Sequence, residues 1–360
     1  MGFKSLGVFG RRIESVLRNH RGIECLRVVA VFAVILSHVG FLANRSDPAS
    51  QRLHIMASLG GRWAIAPFFV LAGYFWGKKI RQGRLLRDVS LKLGTRILAV
   101  WLFWTLLYLV VPDDIESFER YGVMALVKVP FWRLLSFSGH PIQFLFVGSS
   151  PHLWYLVALL WALAIATVDL KYGKGRNLVW IGCGLYVLGL IAGSYAGTPL
   201  GISVAFPTRY GPFFGTIFFA IGWYASSDDK LVTDRMAVAG FLAGVVLSVL
   251  ELHLLWDQFG ILPESPQPYI LGTLVLGSGL ALWVMSKPDL GRSLFLPRLG
   301  RYTLGIYVTH YIFVDLFRPF GNSFHHSLLW ELAQPCLIFL LSLLLTFILQ
   351  QNRMLKRFVA

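Results

Sequence analysis

Apolar residues in this chain are gathered into long runs, separated by short polar segments that are rich in glycine, proline and basic side chains. A helix needs about 20 residues to cross about 30 Å of hydrocarbon, and most of the runs approach that length. The second, sixth and ninth runs are short and contain glycine or proline, so hydropathy supports them least. Ten runs have this character, at residues 23–43, 63–77, 93–111, 152–168, 178–195, 210–225, 236–255, 269–285, 302–317 and 328–349. The pattern predicts an all-α, polytopic transmembrane bundle of about ten spans.

The composition excludes several broad classes of protein. Of the 360 residues, 56% are hydrophobic and only 14% are charged. An ordinary water-soluble enzyme could not bury so much apolar surface away from water. The formal net charge of +15 sits in short clusters between the apolar runs, so we expect no nucleic-acid partner. Cys25, Cys183 and Cys336 are far apart in sequence, and they predict neither a disulfide framework nor a metal site.

Basic residues predict the orientation of the bundle. If the N-terminus is cytoplasmic, 24 of the 33 Lys and Arg residues fall in cytoplasmic segments, as the positive-inside rule requires. An even number of spans then places both termini in the cytoplasm. The predicted organisation is a basic cytoplasmic segment at 1–22, a transmembrane domain at 23–350 and a cytoplasmic tail at 351–360. We expect no cleaved signal peptide, because the first run contains a histidine and leads into further spans.

The longest polar segment, 112–151, falls on the outer side. It carries Asp113, Asp114 and Glu116, followed by an aromatic stretch at 124–137 that is suited to the membrane interface. These acids are the feature that a polytopic glycosyltransferase would use, although solvated loop acids are the more common case.

The first run contains two ionisable residues, Arg27 and His38, and such groups inside a membrane are candidates for function. Eleven residues at ~100° each complete about three turns, so the two side chains share a helix face, ~16 Å apart along the axis. A cation at the cytoplasmic mouth and a deeper base suit a ligand with an anionic head and a long thin arm, such as a coenzyme A thioester. The alternative is that Arg27 snorkels to lipid phosphate while His38 bonds a backbone carbonyl.

Other polar residues in or near the runs are weaker candidates. His310 in the ninth run is a second intramembrane ionisable group. His152, at the start of the fourth run, could cap its helix or line the outer mouth, and Arg209 stands at the outer start of the sixth run. Tyr74 and Trp154 carry O–H and N–H groups that suit an oxyanion, or they are simply packing aromatics. His325 and His326 fall in an outer loop, where water is the expected partner.

Several segments, in the same order along the chain, resemble those of the acyltransferase 3 family of polytopic membrane O-acyltransferases. The spacing of Arg27 and His38 in RGIECLRVVAVFAVILSHV is similar to the family's first-helix Arg-x10-His signature. PFFVLAGYFWG at 67–77 is similar to the FFxxSG segment of helix two, and the basic run that ends at Arg96 is similar to the Arg-rich entry to helix three. PHLWYLVALL at 151–160 resembles HLWFL, and LGIYVTHYIF at 304–313 resembles the late GIYLxH helix.

The resemblance implies a function and a set of site residues. His38 would be catalytic, and Arg27 with Arg96 would hold the donor, acetyl-CoA or another acyl-CoA used as co-substrate, with no permanently bound cofactor. The acceptor would be the hydroxyl of a glycan or lipid-linked saccharide at the outer face of a bacterial inner membrane. PTRYGPFFGTIFFAIGW at 207–223 further resembles the branch that acylates surface polysaccharides and enterobacterial common antigen. Phe69, Gly73, Tyr74, His152, Trp154, Arg209 and His310 are the candidate pocket or acceptor-side residues.

Two departures from the family are visible. Ala72 replaces the usual serine of the helix-two segment, so this chain has no hydroxyl there. The end of the last run, LLLTFILQQNRMLKRF, lacks the glutamate found in some relatives.

Competing functions have weaker support. The chain has neither a phosphate-binding loop nor a dinucleotide fingerprint, which disfavours ATP-driven transport and nicotinamide chemistry. A secondary transporter of a lipid-linked or anionic sugar would predict two similar halves, and no such symmetry is visible. A glycosyltransferase would leave Arg27 and His38 unexplained. For His38 itself, general base catalysis is the preferred role and a covalent acyl-histidine is the alternative.

Overall fold

The computed structural model describes most of the chain from residue 21 onward. The described residues are 21–43, 45, 47–111, 117, 120–204, 206–227, 233–261, 269–287, 289–291, 293–324 and 327–360, with backbone alone at 55, 56, 58–62 and 320–324. Most of the predicted basic segment 1–22 therefore lies outside them, as do Asp113, Asp114, Glu116, His325 and His326.

Every regular element in these ranges is helical, which agrees with the predicted all-α class. The α-helices are α1 Arg21–His38, α2 Pro48–Arg81, α3 Leu86–Val110, α4 Ala125–Gly139, α5 Pro141–Val147, α6 Trp154–Tyr172, α7 Leu178–Ile191, α8 Pro212–Ala225, α9 Asp234–Phe259, α10 Leu271–Ser286, α11 Thr303–Phe324 and α12 Leu328–Gln351. Short 3₁₀ helices at Pro151–Leu153 and Leu296–Tyr302 lead into α6 and α11, and others lie at Gly122–Met124 and Lys356–Phe358.

Each predicted apolar run coincides with one of these helices, and the two remaining helices, α4 and α5, lie in the polar segment 112–151. Among the described residues, four helices are long and apolar enough to cross a membrane: α3, α6 together with its 3₁₀ turn, α9 and α12. The helices α7, α8 and α10 are apolar but shorter. The helical class is therefore confirmed, while the count of ten spans and the orientation of the termini stay predictions.

The largest boundary difference is at α2, which has 34 residues where the second apolar run has far fewer. Asp47 begins this helix as its N-cap, because its side chain accepts a hydrogen bond from the backbone N–H of Ser50 at 2.9 Å. That bond also lowers the pKa of the Asp47 carboxyl. The N-cap therefore lets the helix begin in the polar segment before the apolar run, which hydropathy alone does not predict.

The helices pack closely through glycine. A Cβ atom on Gly73 of α2 would lie 2.1 Å from the carbonyl oxygen of Phe219 in α8, and one on Gly222 of α8 would lie 1.9 Å from the carbonyl oxygen of Val70. The backbones of α2 and α8 therefore meet at a distance that no other residue permits. Small residues are typical of close helix contacts inside membranes.

We expect Gly73→Ala to destabilise the bundle by about 1–3 kcal/mol, because the new methyl group overlaps a backbone atom that has no freedom to move. The melting temperature of the detergent-solubilised protein, followed by intrinsic fluorescence, measures the effect. Gly184→Ala in α7 is the matched control, since a Cβ there meets no atom within 4 Å. Equal melting temperatures for the two variants would contradict this packing.

A buried acid, Glu251 of α9, has a structural role. Its carboxylate accepts hydrogen bonds from the backbone N–H groups of Leu271 at 2.8 Å and Gly272 at 2.7 Å, at the start of α10. The hydroxyl of Tyr195 donates to the same carboxylate. Negative charge is stabilised at a helix N-terminus, so capping of α10 accounts for this intramembrane acid.

Large apolar side chains on the outer faces of the bundle are exposed. On α3, Leu98, Leu102 and Leu106 are 43%, 46% and 60% exposed, and Val246 and Leu250 of α9 are 57% and 59% exposed. Water would penalise apolar stripes of this extent, whereas lipid would not. The structure therefore has the surface of a membrane protein.

Candidate functional site

Three histidines from separate parts of the chain meet around one tyrosine, and we refer to His38, His152, His310 and Tyr311 as the histidine cluster. The ring of His310 lies 5.5 Å from that of His38 and 5.0 Å from that of His152, between centroids. Tyr311 stacks on His152 at 5.1 Å and meets His38 edge-on at 5.3 Å. The structure thus brings together all three histidines that the sequence marked as candidates.

The secondary structure positions each member differently. His38 is the last residue of α1 and is half-buried. His152 lies in the 3₁₀ turn before α6 and is 1% exposed, and His310 lies in the middle of α11 and is fully buried. Two tyrosines hold the arrangement: Tyr307, one turn before His310, donates its hydroxyl to the His152 carbonyl oxygen, and Tyr108 of α3 donates to the Val308 carbonyl oxygen at 2.7 Å.

Hydrogen bonds determine which ring nitrogens are available. The His310 Nδ1 lies 2.6 Å from the Tyr307 carbonyl oxygen. A carbonyl only accepts, so Nδ1 carries the proton and, in the neutral ring, Nε2 is an acceptor. The His152 Nδ1 is bonded to the Ser150 Oγ at 2.9 Å. In both rings Nε2 is buried and has no hydrogen-bond partner among the described residues, which is typical of a site that receives a substrate.

A cavity of about 240 Å³ adjoins the cluster and contains three arginines, Arg27, Arg96 and Arg301. Tyr155 and Tyr307 also line it, and the ring of Tyr307 lies 5.6 Å from that of His152. The rest of the wall is largely apolar and includes Val34, Ile65, Phe68, Ile97, Val100, Leu156, Leu159 and Leu304. The cavity therefore combines cations with apolar walls, and Tyr307 connects it to the histidine cluster. We refer to it as the arginine cavity.

Two of the arginines have partners within the chain. Arg27 forms an ion pair with Glu24 at 3.2 Å, and its side chain is 30% exposed. Arg96 donates a hydrogen bond to the backbone oxygen of Ala360, which also lines the cavity. The guanidinium of Arg301 lies 4.7 Å from the ring centroid of Tyr302. Guanidinium groups bind phosphate in a bidentate manner, so this end of the cavity is suited to a phosphate-bearing ligand.

The candidates from the second helix lie elsewhere. Phe69 is fully buried and packs on Tyr155 at 4.8 Å and on Phe214 at 5.8 Å, between ring centroids. Gly73 lies in the crossing with α8, described above. Tyr74 contacts Phe75, and the Nζ of Lys78 lies 5.3 Å from its ring. In this segment the cavity is lined by Phe68, the neighbour of Phe69.

The two outer candidates lie close to each other. Trp154 packs against Tyr210 at 6.3 Å and against Phe214 at 6.0 Å, between ring centroids. Arg209 is half-buried, and its Nη2 donates to the Tyr210 hydroxyl at 3.2 Å. Both residues therefore act on Tyr210, which lines a second cavity described below.

Sequence reasoning missed Arg301 and three tyrosines of the site. Arg301 looked like one of many cytoplasmic charges, because nothing in its local sequence distinguishes it from Arg298. Tyr307 had a detectable signal, since a residue three positions before His310 is its neighbour on the helix surface, whereas Tyr311 is only the next residue along the chain. Tyr155 lies directly after Trp154 in the HLWY segment.

The side chains that could act as metal ligands do not form a metal centre in the part of the chain that the structure describes. No group of three His, Cys, Asp or Glu side chains there has an arrangement that could hold a metal ion. The three histidines instead present their rings to one another and to Tyr311.

Comparisons with known proteins connect the chain to acyltransferases. A family model described as an acyltransferase domain matches residues 20–350, a region that contains the whole histidine cluster and all three arginines of the cavity. A curated protein of Enterococcus faecalis, described as an amino-acid racemase, is 25% identical over 230 residues, which are 59% of this chain and 29% of that protein. The chain thus spans less than a third of the length of the curated relative it matches. No solved structure gives a significant match.

Proposed function

Since the chain belongs to this family of acyltransferase domains, we propose that it is an integral membrane O-acyltransferase. It moves an acetyl or another short acyl group from cytoplasmic acyl-CoA to a hydroxyl of a cell-surface polysaccharide or of its lipid-linked precursor. One observation carries the proposal: a single cavity is lined by three arginines, by Val34, which lies one turn before His38 on α1, and by Tyr307, whose ring lies 5.6 Å from that of His152.

The arginine cavity matches the shape and charge of the donor. Coenzyme A has a phosphate-rich head, for which Arg27, Arg96 and Arg301 provide the cations, and a thin arm that suits the apolar wall. On α1, Arg27 and His38 are ~16 Å apart along the helix axis, because each residue advances a helix by ~1.5 Å. A thioester whose head is bound by the arginines would therefore have its reactive carbonyl carried deep into the bundle, toward His38.

The cluster contains the groups that acyl transfer requires. In the proposed reaction His38 takes the proton from the acceptor hydroxyl while the hydroxyl oxygen attacks the thioester carbonyl. The tetrahedral intermediate collapses, the carbon–sulfur bond breaks, and the imidazolium returns its proton to the thiolate. The products are an acyl ester and free CoA. The unpartnered Nε2 of His310 is available to accept a hydrogen bond from the acceptor hydroxyl, and the unpartnered Nε2 of His152 donates or accepts one according to its tautomer.

A covalent relay is a second use of the same residue, because imidazole is also a competent nucleophile. In that sequence His38 would accept the acyl group from the thioester, releasing CoA, and then pass it to the hydroxyl. Incubation with radiolabelled acetyl-CoA and no acceptor separates the two routes. A label on His38 after rapid acid quench supports the relay, and unlabelled protein supports general base catalysis.

The proposal includes the topology: ten spans in the bacterial inner membrane, with both termini cytoplasmic. Arg27 near the start of α1 and Ala360 beyond α12 line the same cavity, which supports an even number of crossings between them. The acceptor class is proposed from the similarity of 207–223 to the branch that acylates surface polysaccharides. The activity named for the racemase belongs to a protein of which 29% is matched, so we do not transfer it.

The experiment that tests the function uses the purified protein in lipid nanodiscs with radiolabelled acetyl-CoA and extracted lipid-linked saccharide. We expect label in the saccharide fraction, in an ester that mild alkali releases, and an equal amount of free CoA. Saccharide that stays unlabelled while proteoliposomes accumulate it would contradict acyl transfer and favour the transporter alternative.

A further inference from the structure

A second cavity, of about 250 Å³, includes in its lining Ser150, which lies two residues before His152 of the histidine cluster. It is formed by the end of α4, by α5 and by the segment that precedes α6, with Tyr210 from the segment before α8. The polar side chains that line it are Ser136, His140, Gln143, Ser149, Ser150 and Tyr210. We refer to it as the outer groove.

The groove is held to the bundle by specific bonds. The Arg133 Nη1 of α4 donates to the carbonyl oxygens at the end of α3, including Leu109 at 3.1 Å and Val111 at 2.7 Å. Ser149 Oγ donates to the Thr105 carbonyl oxygen at 2.5 Å. Gly148 has a φ of 79°, and a Cβ there would lie 2.6 Å from the Thr105 Oγ1. Only glycine combines this backbone conformation with so close an approach.

One hydrogen bond connects the groove to the cluster. Ser150 lines the groove, and its Oγ is bonded to the His152 Nδ1 at 2.9 Å. Along the chain, Ser150 and Pro151 line the groove, whereas Tyr155, Leu156 and Leu159 of α6 line the arginine cavity. Along the chain, His152 therefore lies between residues of the two cavities, and a molecule in the groove lies next to Ser150, the hydrogen-bond partner of His152.

The lining selects a chemical class of ligand. Serine, glutamine and tyrosine side chains both donate and accept hydrogen bonds, and the groove as described contains no carboxylate, lysine or arginine. Phe137 and Phe144, which stack on each other at 4.6 Å, add apolar faces to the wall. The Tyr210 hydroxyl accepts from Arg209, which leaves its own proton to donate. A neutral ring with many hydroxyl groups fits this combination.

We propose that the outer groove binds the sugar residue of the acceptor and presents its hydroxyl to the histidine cluster. The proposal rests on the proposed function, because it assigns the acceptor side of that reaction. The lipid or polymer part of the acceptor remains outside, since a cavity of this size holds about one sugar ring. Trp154 and Arg209 were predicted to lie on the acceptor side. In this proposal they position Tyr210, which lines the groove.

Direct binding tests the groove without any transfer reaction. Saturation-transfer NMR on the nanodisc protein uses methyl glycosides of glucose, galactose, mannose and N-acetylglucosamine as probes, with cyclohexanol as an alcohol that lacks the additional hydroxyls. We expect signal from at least one glycoside and none from cyclohexanol. Gln143→Ala and Ser136→Ala should each weaken binding by up to about tenfold, the effect of one hydrogen bond.

Ser138→Ala is the matched control, because Ser138 lies on α4 two residues from Ser136 but does not line the groove, and its hydroxyl donates to its own helix at Leu135. Its glycoside binding should equal that of the wild type. Melting temperatures of all variants verify folding. Absence of glycoside signal in the wild type, or binding that neither Gln143→Ala nor Ser136→Ala weakens, overturns the groove whether or not transfer occurs. Glycoside binding without any acyl transfer would support the groove as a sugar site and contradict the proposed function.

Discussion

Replacing His38 by alanine is expected to lower the rate of acyl transfer by a factor of about 10² to 10⁴, the usual contribution of a general base. His38 ends α1 within ring contact of His310 and Tyr311, and in the proposed mechanism its removal takes away the group that accepts the hydroxyl proton. The KM for acyl-CoA should change little, because the same proposal assigns binding of the donor head to the arginines. Steady-state transfer of radiolabelled acetyl groups, by the protein in nanodiscs, measures both constants.

The control for this variant is another histidine of the chain. His253 on α9 has a side chain that is 71% exposed and lies 3.0 Å from the Asp257 carboxylate, so His253→Ala should keep full activity. Added imidazole should partly restore His38→Ala if the lost group is a base, since a free imidazole fits the vacated space. Full activity in His38→Ala with an unchanged melting temperature would remove His38 from the mechanism.

Replacing Arg27 by alanine is expected to raise the KM for acyl-CoA by about 10- to 100-fold, because a hydrogen bond to a charged group contributes about 1.5–3 kcal/mol. The kcat should stay near the wild-type value, since Arg27 lies about three helical turns from His38. The KM of Arg27→Lys for acyl-CoA should lie between those of the wild type and Arg27→Ala, because lysine keeps the charge and loses the bidentate geometry. Initial rates at varied acetyl-CoA concentration provide the measurement.

Arg87→Ala is the matched control for the donor site. Arg87 is exposed on α3, the helix that also carries Arg96, but it does not line the arginine cavity. It should leave the KM for acyl-CoA unchanged. If Arg27→Ala also leaves that KM unchanged in a correctly inserted protein, Arg27 serves only to orient α1 and pair with Glu24. Accessibility of single cysteines at the two ends of α1 reports insertion independently of activity.

Much of the fold was predictable from the sequence because hydropathy is a local property. Each of the ten apolar runs becomes a helix, and the aromatic stretch at 124–137 becomes most of α4. The helix ends were less predictable, since capping and the packing of polar turns decide them. The side chain of Asp47, for example, begins α2 well before its apolar part. Close crossings such as Gly73 against Phe219 were invisible, because they depend on a partner helix that is distant in sequence.

The site divides in the same way. Spacing on one helix was sufficient to place Arg27 and His38 on a common face, because the geometry of a helix is known in advance. It could not show that the hydrogen-bond partner of His152 lines a second cavity, that Arg301 joins Arg27 and Arg96, or that Phe69 packs in the core while Phe68 lines the arginine cavity. Those facts depend on how each helix is rotated and which neighbour it meets.

The sequence by itself therefore determined the helical class, the family resemblance and the two ionisable residues of the first helix, since all three follow from residue type and spacing. Only the tertiary structure decided that three histidines share one tyrosine, that three arginines face one cavity, and that an uncharged groove lies beyond His152. The physical reason is that such a site is assembled from side chains on four or more helices. Their meeting depends on the packing of the whole bundle, which no single segment encodes.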